Sequence, residues 1–250
     1  MRDFEHSTLW RVSAFERFRQ RTGNSGFVRL DGPSVLPTTL LSDLQRLHHQ
    51  SATNDILEIV AACVRHREPA LLCLAQDQVV WPVTLFPSQM LYHAPRDLAR
   101  ELPLALASLR VLTAEPPGVR PPGHWMHERI GLVDHYRPMV PLLWALALYG
   151  SRSVLLTEIG GRAAYRLAAG RAGAEWPPTP GAMGSALQRL RGEAVSLREM
   201  AGWPGMSVER ASRLLNALYL TQNLMVSRTH PAARDEQGFV RSLLGGRSKR

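Results

Sequence analysis

The strongest constraint on the fold is a pair of helix starts in the last third of the chain. Ser196 and Glu199 form an S-x-x-E pattern, in which each side chain can bond a free backbone N–H of the other residue. Ser207 can cap a longer helix, which we expect over 208–222. A Trp-Pro-Gly sequence at 203–205 interrupts the helix between the two caps. The pattern predicts a short helix, a tight turn and a longer helix.

The longer helix has one apolar face, which we expect to lie in the core and which comprises Val208, Ala211, Leu214, Leu215 and Leu218. Asn223 follows the helix and is expected to take the left-handed position at its end. Leu224–Ser227 is strand-like, and a further short helix, marked by Leu187 and Leu190, precedes the pair. The predicted order is therefore helix, short helix, turn, longer helix, strand.

This order resembles a winged helix-turn-helix over residues 185–228. Within it the run MSVERASRLLNALYLTQNLMVSR is similar to the recognition-helix-and-wing segment of bacterial winged-helix regulators. The sequence departs from such families in two places: Gln222-Asn223 stands where a glycine usually precedes the strand, and no clear second strand follows for the wing. The resemblance implies that the longer helix enters the major groove of DNA.

If so, the solvent face of that helix would present Glu209, Arg210, Ser212, Arg213, Asn216 and Tyr219. Arginine bonds guanine edges or phosphates and asparagine bonds adenine. The expected DNA-binding residues are accordingly Arg210, Ser212, Arg213, Asn216 and Arg228. Similar winged-helix modules also serve as protein–protein parts in bacterial signalling proteins, so partner docking by the same module is the alternative.

The charge of the chain is concentrated at the same end. The net charge is +9; residues 162–250 carry 14 basic and 6 acidic side chains, whereas residues 1–161 carry 16 and 15. Arg234 and Arg241 follow the module, and Arg247, Lys249 and Arg250 form a basic tail. Such asymmetry indicates an anionic partner, such as nucleic acid, an acidic protein or a membrane surface, and the alternative is a basic surface that only contacts solvent.

The first half of the chain predicts an α+β region. Ile56, Ile59, Val60, Cys63 and Val64 have helical spacing. Strand-like runs follow at 70–75, 79–86 and 90–93, then a helix over 97–109 and a strand at 111–112. Pro82 predicts an edge or a bulge in its strand. The predicted fold class is α+β and mostly helical, with a small antiparallel sheet in the N-terminal half.

A proline-rich connection, 113–138, contains His124, His127 and His135. Imidazoles can ligate zinc, but the spacing is not that of H-E-x-x-H and no cysteine pair accompanies it, so we expect no metal. The sequence has no G-x-S-x-G, P-loop or G-x-G-x-x-G motif. We therefore expect neither a cofactor nor an enzyme.

The predicted domains are an α+β region over 1–171 and a winged-helix-like module with its tail over 185–250, joined by a linker at 172–184 that is rich in glycine and proline. Two cysteines, no signal-peptide core and no apolar run of membrane-spanning length favour a cytoplasmic protein. A homodimer is possible.

The sequence favours two functions over a third, which is an enzyme that uses the histidine-rich connection. The first is a cytoplasmic bacterial regulator that binds DNA through the C-terminal module. The alternative is a non-catalytic adaptor or scaffold that uses the same module for protein–protein contacts in a signalling or motility assembly.

Overall fold

The chain forms an α+β structure with antiparallel sheets, as predicted. The computed structural model describes residues 9–23, 25–27, 35–50 (for 48–50 the backbone only), 55–101, 103–168, 177–179 and 181–233. It divides into two compact units, Met1–Arg152 and Ser153–Arg250. The basic tail and residues 172–176 and 180 of the predicted linker lie outside the described residues.

In the N-terminal unit three consecutive helices precede most of the strands. Its helices are α1 (Val12–Thr22), α2 (Thr38–Gln50), α3 (Ile56–His66), α4 (Pro103–Ser108) and α5 (Met139–Tyr149). Its strands are β1 (Trp10–Arg11), β2 (Ala70–Gln76), β3 (Val79–Phe86), β4 (Leu91–His93), β5 (Arg110–Glu115) and β6 (Tyr136–Pro138). The helix expected over 97–109 is a 3₁₀ turn at Leu98–Arg100 followed by the short α4, because Pro103 interrupts a continuous helix.

Within the part of this unit that the structure describes, the sheet has six strands and is therefore larger than the small sheet predicted. The order is β5-β2-β3-β4-β6, and all pairs are antiparallel. One edge of β3 pairs with β2, and the other is shared by β1 at residues 79–80 and β4 at residues 84–86. Pro82 lies in the interval between β1 and β4, which explains how a residue without an N–H fits into a central strand.

Two apolar helices belong to the core of this unit. Nine consecutive residues of α3, from Ile56 to Val64, are buried, and α5 is buried along most of its length. An ion pair tightens the start of α3: Arg152 binds the carboxylates of Asp55 at 2.5 Å and Glu58 at 2.8 Å, and Glu58 is only 7% exposed. Asp55 also caps the helix by accepting a hydrogen bond from Leu57 N–H at 2.9 Å.

Among its described residues, the C-terminal unit contains a three-stranded sheet, three α-helices and a 3₁₀ turn at Pro231–Ala233. Its elements are β7 (Ala164–Leu167), α6 (Ala182–Gly192), β8 (Val195–Ser196), α7 (Leu197–Ala201), α8 (Val208–Leu220) and β9 (Leu224–Ser227). The strand order is β8-β7-β9, so the central strand precedes all three helices in the chain. It pairs over Tyr165↔Val195 and Arg166↔Met225, both antiparallel.

The position of β7 bears on the predicted division of the chain. The two compact units divide after Arg152, well before the expected linker at 172–184, because β7 is paired with β8 and β9. Residues 182–184, which were included in the linker, begin α6. The proline-rich and glycine-rich composition therefore marks a connection inside the C-terminal unit.

The two caps predicted from the sequence are confirmed. Ser196 and Glu199 form a reciprocal capping box, and the Ser207 hydroxyl accepts a hydrogen bond from Arg210 N–H at 3.2 Å. The left-handed residue after α8 is Gln222, with φ of 59°, and not Asn223 as expected. Asn223 instead donates its side-chain amide to the carbonyl of Thr221 at 2.6 Å.

A buried histidine gives the N-terminal unit a pH dependence. Burial, together with the charges of His135 and Arg137, lowers the pKa of His93 to about 4 from its ordinary 6.5. The unfolded chain therefore binds one more proton than the folded chain between these values, and the free energy of unfolding falls as the pH drops from about 6.5 to 4.

We expect the substitution His93→Gln to make the unfolding free energy less sensitive to pH in this range, because it removes the group that must lose its proton on folding. Urea denaturation at pH 7 and pH 5 measures the effect, since the remaining titrating groups contribute equally to both proteins. An equal loss of stability in the variant and the unchanged chain would contradict the assignment.

Candidate functional site: helix α8 and the segment that covers it

The helix proposed to read DNA, α8, is exposed only at its start. Val208, Glu209 and Arg210 are exposed, whereas nearly every residue from Ala211 to Leu220 is buried. The buried set includes polar side chains on the face predicted to meet solvent: Ser212 is 1% exposed and Asn216 is 0% exposed. A side chain at 0% exposure is not available to a base edge.

Residues 154–160, termed here the covering segment, lie against this face. Leu156 N–H donates to the side-chain oxygen of Asn216 at 2.9 Å, and the side-chain nitrogen of Asn216 donates to the carbonyl of Val154 at 3.0 Å. One amide thus satisfies a backbone donor and a backbone acceptor of a segment that has no regular secondary structure of its own. Asn216 acts as the anchor of the covering segment.

Three further side chains hold the same segment. The Tyr219 hydroxyl donates to the Glu158 carboxylate. The Arg228 guanidinium donates to the carbonyls of Gly160 at 3.1 Å and Glu158 at 3.0 Å. From within the sheet, the Tyr165 hydroxyl donates to the carbonyl of Ile159 at 2.5 Å, and burial raises the pKa of this tyrosine. The segment is therefore held at both ends and in the middle.

The expected DNA-binding residues have the following places in the structure. Asn216 and Arg228 bind the covering segment, and Ser212 is buried. Arg213 binds Glu209 at 2.9 Å and its side chain is 15% exposed. Arg210 is exposed, and its guanidinium donates to the carbonyl of Gly205 at 2.5 Å, in the turn that precedes the helix. The structure thus leaves Arg210 as the one of the five that is both on α8 and exposed.

The sequence did not indicate the covering segment, because most of its hydrogen bonds are made by backbone groups. Such bonds require no particular residue type and therefore produce no recognisable sequence pattern. The available signal was indirect: Asn216 and Ser212 are one helical turn apart, and Asn216 stands between the apolar residues Leu215 and Ala217. A polar pair of this kind is equally typical of a solvent face and of a face that binds a loop.

The surface of the C-terminal unit is nevertheless rich in arginine. Its exposed arginines within the described residues include Arg166 on β7, Arg191 on α6, Arg198 on α7 and Arg210 on α8. The guanidinium of Arg189 already contacts two groups of the same unit: it lies 4.0 Å from the Trp203 ring centre and 3.2 Å from the Glu193 carboxylate. These groups lie on several elements and are not concentrated on α8.

The proline-rich connection carries the other distinctive side chains. Trp125 is 78% exposed, and Leu132 and Val133 are 57% and 74% exposed. His124 stacks on Trp125 at 5.7 Å between ring centres, and its Nδ1 accepts a hydrogen bond from Met126 N–H at 3.1 Å. In the part of the chain that the structure describes, no three His, Cys, Asp or Glu side chains are grouped closely enough to hold a metal ion.

Comparison with known proteins adds no relative. Neither protein-family models, nor curated proteins, nor solved structures match the chain. Among the described helices, none combines the length and the apolar composition needed to cross a membrane. The functional interpretation consequently depends on the geometry alone.

Proposed function

We propose that the chain is a non-catalytic adaptor that binds a protein partner, and that its C-terminal unit is a winged-helix-like module with a structural α8. The observation that carries this proposal is the position of Asn216: its amide is fully buried and bonded on both sides to the covering segment. A recognition helix presents such side chains to the groove, whereas α8 uses them within its own unit.

The order of elements supports the winged-helix-like part of the proposal. From α6 to β9 the order is helix, short strand, capped short helix, turn, longer helix and strand. The unit differs from a winged helix-turn-helix in the strand that pairs with β9. A wing would pair this strand with one that follows it, whereas here β9 pairs with β7, which precedes α6.

The exposed apolar side chains of the connection support partner binding. Tryptophan is enriched among the residues that dominate protein–protein affinity, and contiguous exposed apolar patches mark interaction sites. Trp125 is the most exposed tryptophan within the described residues, and it lies on a connection tied down at its base by a hydrogen bond from Arg120 N–H to Arg129 carbonyl at 2.8 Å. We take Trp125 as the anchor for the partner.

The test compares partner retention by the tagged full-length chain and by two matched variants. Trp125→Ala removes the proposed anchor, and Leu104→Ala removes a side chain that is 85% exposed on α4. We expect a stoichiometric partner to be retained by the unchanged chain and by the Leu104 variant, and to be lost with the Trp125 variant. Equal retention by both variants would contradict the role of Trp125.

DNA binding is the second candidate function, favoured by the surplus of eight basic residues over 162–250 and by the exposed Arg210. Fluorescence anisotropy of the full chain with a duplex, at about 50 and about 200 mM salt, tests it. An adaptor should show at most weak binding that is the same for Arg210→Ala and for Arg191→Ala. Selective loss of binding with Arg210→Ala, in a folded protein, would replace the adaptor proposal with the DNA-binding one.

A further inference from the structure

A small cavity in the N-terminal unit is lined by cationic groups and has a volume of about 150 Å³. It lies among the end of α3, the turn between β3 and β4, and the start of the proline-rich connection. Its polar lining consists of Arg67, Ser88, Gln89, Arg120 and His124, and its apolar lining of Phe86 and three prolines. No carboxylate lines it.

The walls of the cavity are fixed by hydrogen bonds. The Ser88 hydroxyl donates to the carbonyl of Arg67 at 3.0 Å, which joins the turn to the end of α3. The carbonyl of Arg120 accepts from the Tyr136 hydroxyl, which itself accepts from Gly131 N–H at 2.8 Å. The backbones of both arginines are thus held by hydrogen bonds, so the cavity exists before any ligand arrives.

The negative end of the α3 helix dipole offsets the positive charge of the cavity only in part. Its last carbonyls accept hydrogen bonds from Arg67 N–H and Glu68 N–H, both at 3.2 Å. Capping of this kind satisfies the groups that carry the negative end of the helix dipole. The cavity therefore keeps the positive character of its side chains.

One buried donor of the cavity is unmatched within the described residues. The Nε of Arg120 is buried and has no hydrogen-bond partner, and neither Arg67 nor Arg120 forms an ion pair there. Because His124 Nδ1 accepts from Met126 N–H, the ring proton lies on Nε2 and is available to donate. A buried donor left unpaired is unfavourable, so an acceptor bonded to Arg120 Nε would stabilise the site.

We propose that this cavity binds the phosphoryl group of a phosphomonoester. The cavity offers two guanidinium groups, an imidazole N–H and the Gln89 amide. These donors match an acceptor that has several oxygens and a negative charge of nearly two. Small-molecule sites usually occupy about 300–1,000 Å³, so the cavity accommodates the phosphoryl group while the rest of the ligand remains outside. The site does not depend on the proposed adaptor function.

Two classes of ligand carry a phosphoryl group that would fit the cavity: a nucleoside monophosphate and a phosphoserine peptide. Trp125 stacks on His124 at the edge of the cavity and exposes a flat aromatic ring beside it. A nucleoside monophosphate could stack its base on this ring. A phosphoserine peptide would instead place its backbone along the connection. Both use the same phosphoryl contacts.

The experiment is isothermal titration calorimetry of the full-length chain with inorganic phosphate, with AMP and with a short phosphoserine peptide, each against its unphosphorylated counterpart where one exists. We expect all three phosphate compounds to bind and the unphosphorylated ones not to bind. Tighter binding of AMP than of phosphate, lost with Trp125→Ala, identifies the nucleotide source. Tighter binding of the peptide identifies the peptide source.

Variants test the assignment of the site. Arg120→Gln and Arg67→Gln are expected to weaken phosphate binding at least about tenfold, because each removes a charge-assisted contact. Arg110→Gln, which removes an exposed arginine on β5, is the matched control and should leave binding unchanged. Arg67 is exposed, so its variant keeps the test valid if the Arg120 variant does not fold. No binding of phosphate up to about 10 mM, or equal binding by the Arg67 and Arg110 variants, would overturn the proposal.

Discussion

Replacing Arg152 with methionine is expected to lower the free energy of unfolding by about 3–5 kcal/mol. The guanidinium is the partner of both Asp55 and Glu58, and Glu58 is buried at the start of α3. Methionine keeps much of the side-chain volume but leaves two carboxylates without their shared cation. Urea denaturation at pH 7 measures the loss, and hydrogen exchange over α3 shows that it originates there.

The control for this prediction removes all three charges. In the triple variant D55N/E58Q/R152M no unpaired charge remains, so most of the lost stability should return. Asparagine at position 55 retains the ability to accept from Leu57 N–H and thus keeps the helix cap. If the triple variant were as unstable as the single one, the loss would come from packing around Arg152 and not from the ion pair.

Asn216→Ala is expected to lower the free energy of unfolding of the C-terminal unit by about 2–4 kcal/mol. The substitution leaves Leu156 N–H and the carbonyl of Val154 without their partner, and it opens a small void in a fully buried position. Val154 is 57% exposed, so water can rehydrate its carbonyl more readily than the Leu156 N–H, which keeps the loss below the sum of two buried groups.

The diagnostic measurement is hydrogen exchange over the covering segment. The Leu156 amide should exchange faster in the Asn216 variant by a factor that matches the local loss of stability. Ser212→Ala is the matched control, because this buried hydroxyl on the same face has no hydrogen-bond partner among the described residues. Unchanged exchange at Leu156 in the Asn216 variant would show that the segment is held by other groups.

The sequence predicted the parts of the fold that local chemistry determines. The caps at Ser196 and Ser207 and the helical spacing from Ile56 to Val64 were readable because each feature is complete within one or two turns of helix. The strands after α3 were readable for the same reason, since their apolar runs end at turn residues.

The parts that could not be predicted depend on which distant backbone meets a side chain. Asn216 has the same helical position whether it faces a base or the covering segment, and its neighbours Leu215 and Ala217 do not distinguish the two. The partner of β9 was equally hidden, because a strand of four residues is compatible with a following wing and with the preceding β7. The candidate cavity also escaped prediction, since Arg67 and Arg120 are far apart in the chain.

The central position of β7 determines when the C-terminal unit can fold during translation. Leu167 pairs with Leu224, so the sheet cannot close until the ribosome has released the chain beyond β9. Pairing across such a separation pays loop-closure entropy before it gains contacts, which makes the sheet a late folding event. A fragment beginning at the glycine- and proline-rich stretch would lack the strand that both of its neighbours require, whereas one beginning at Ser153 retains it.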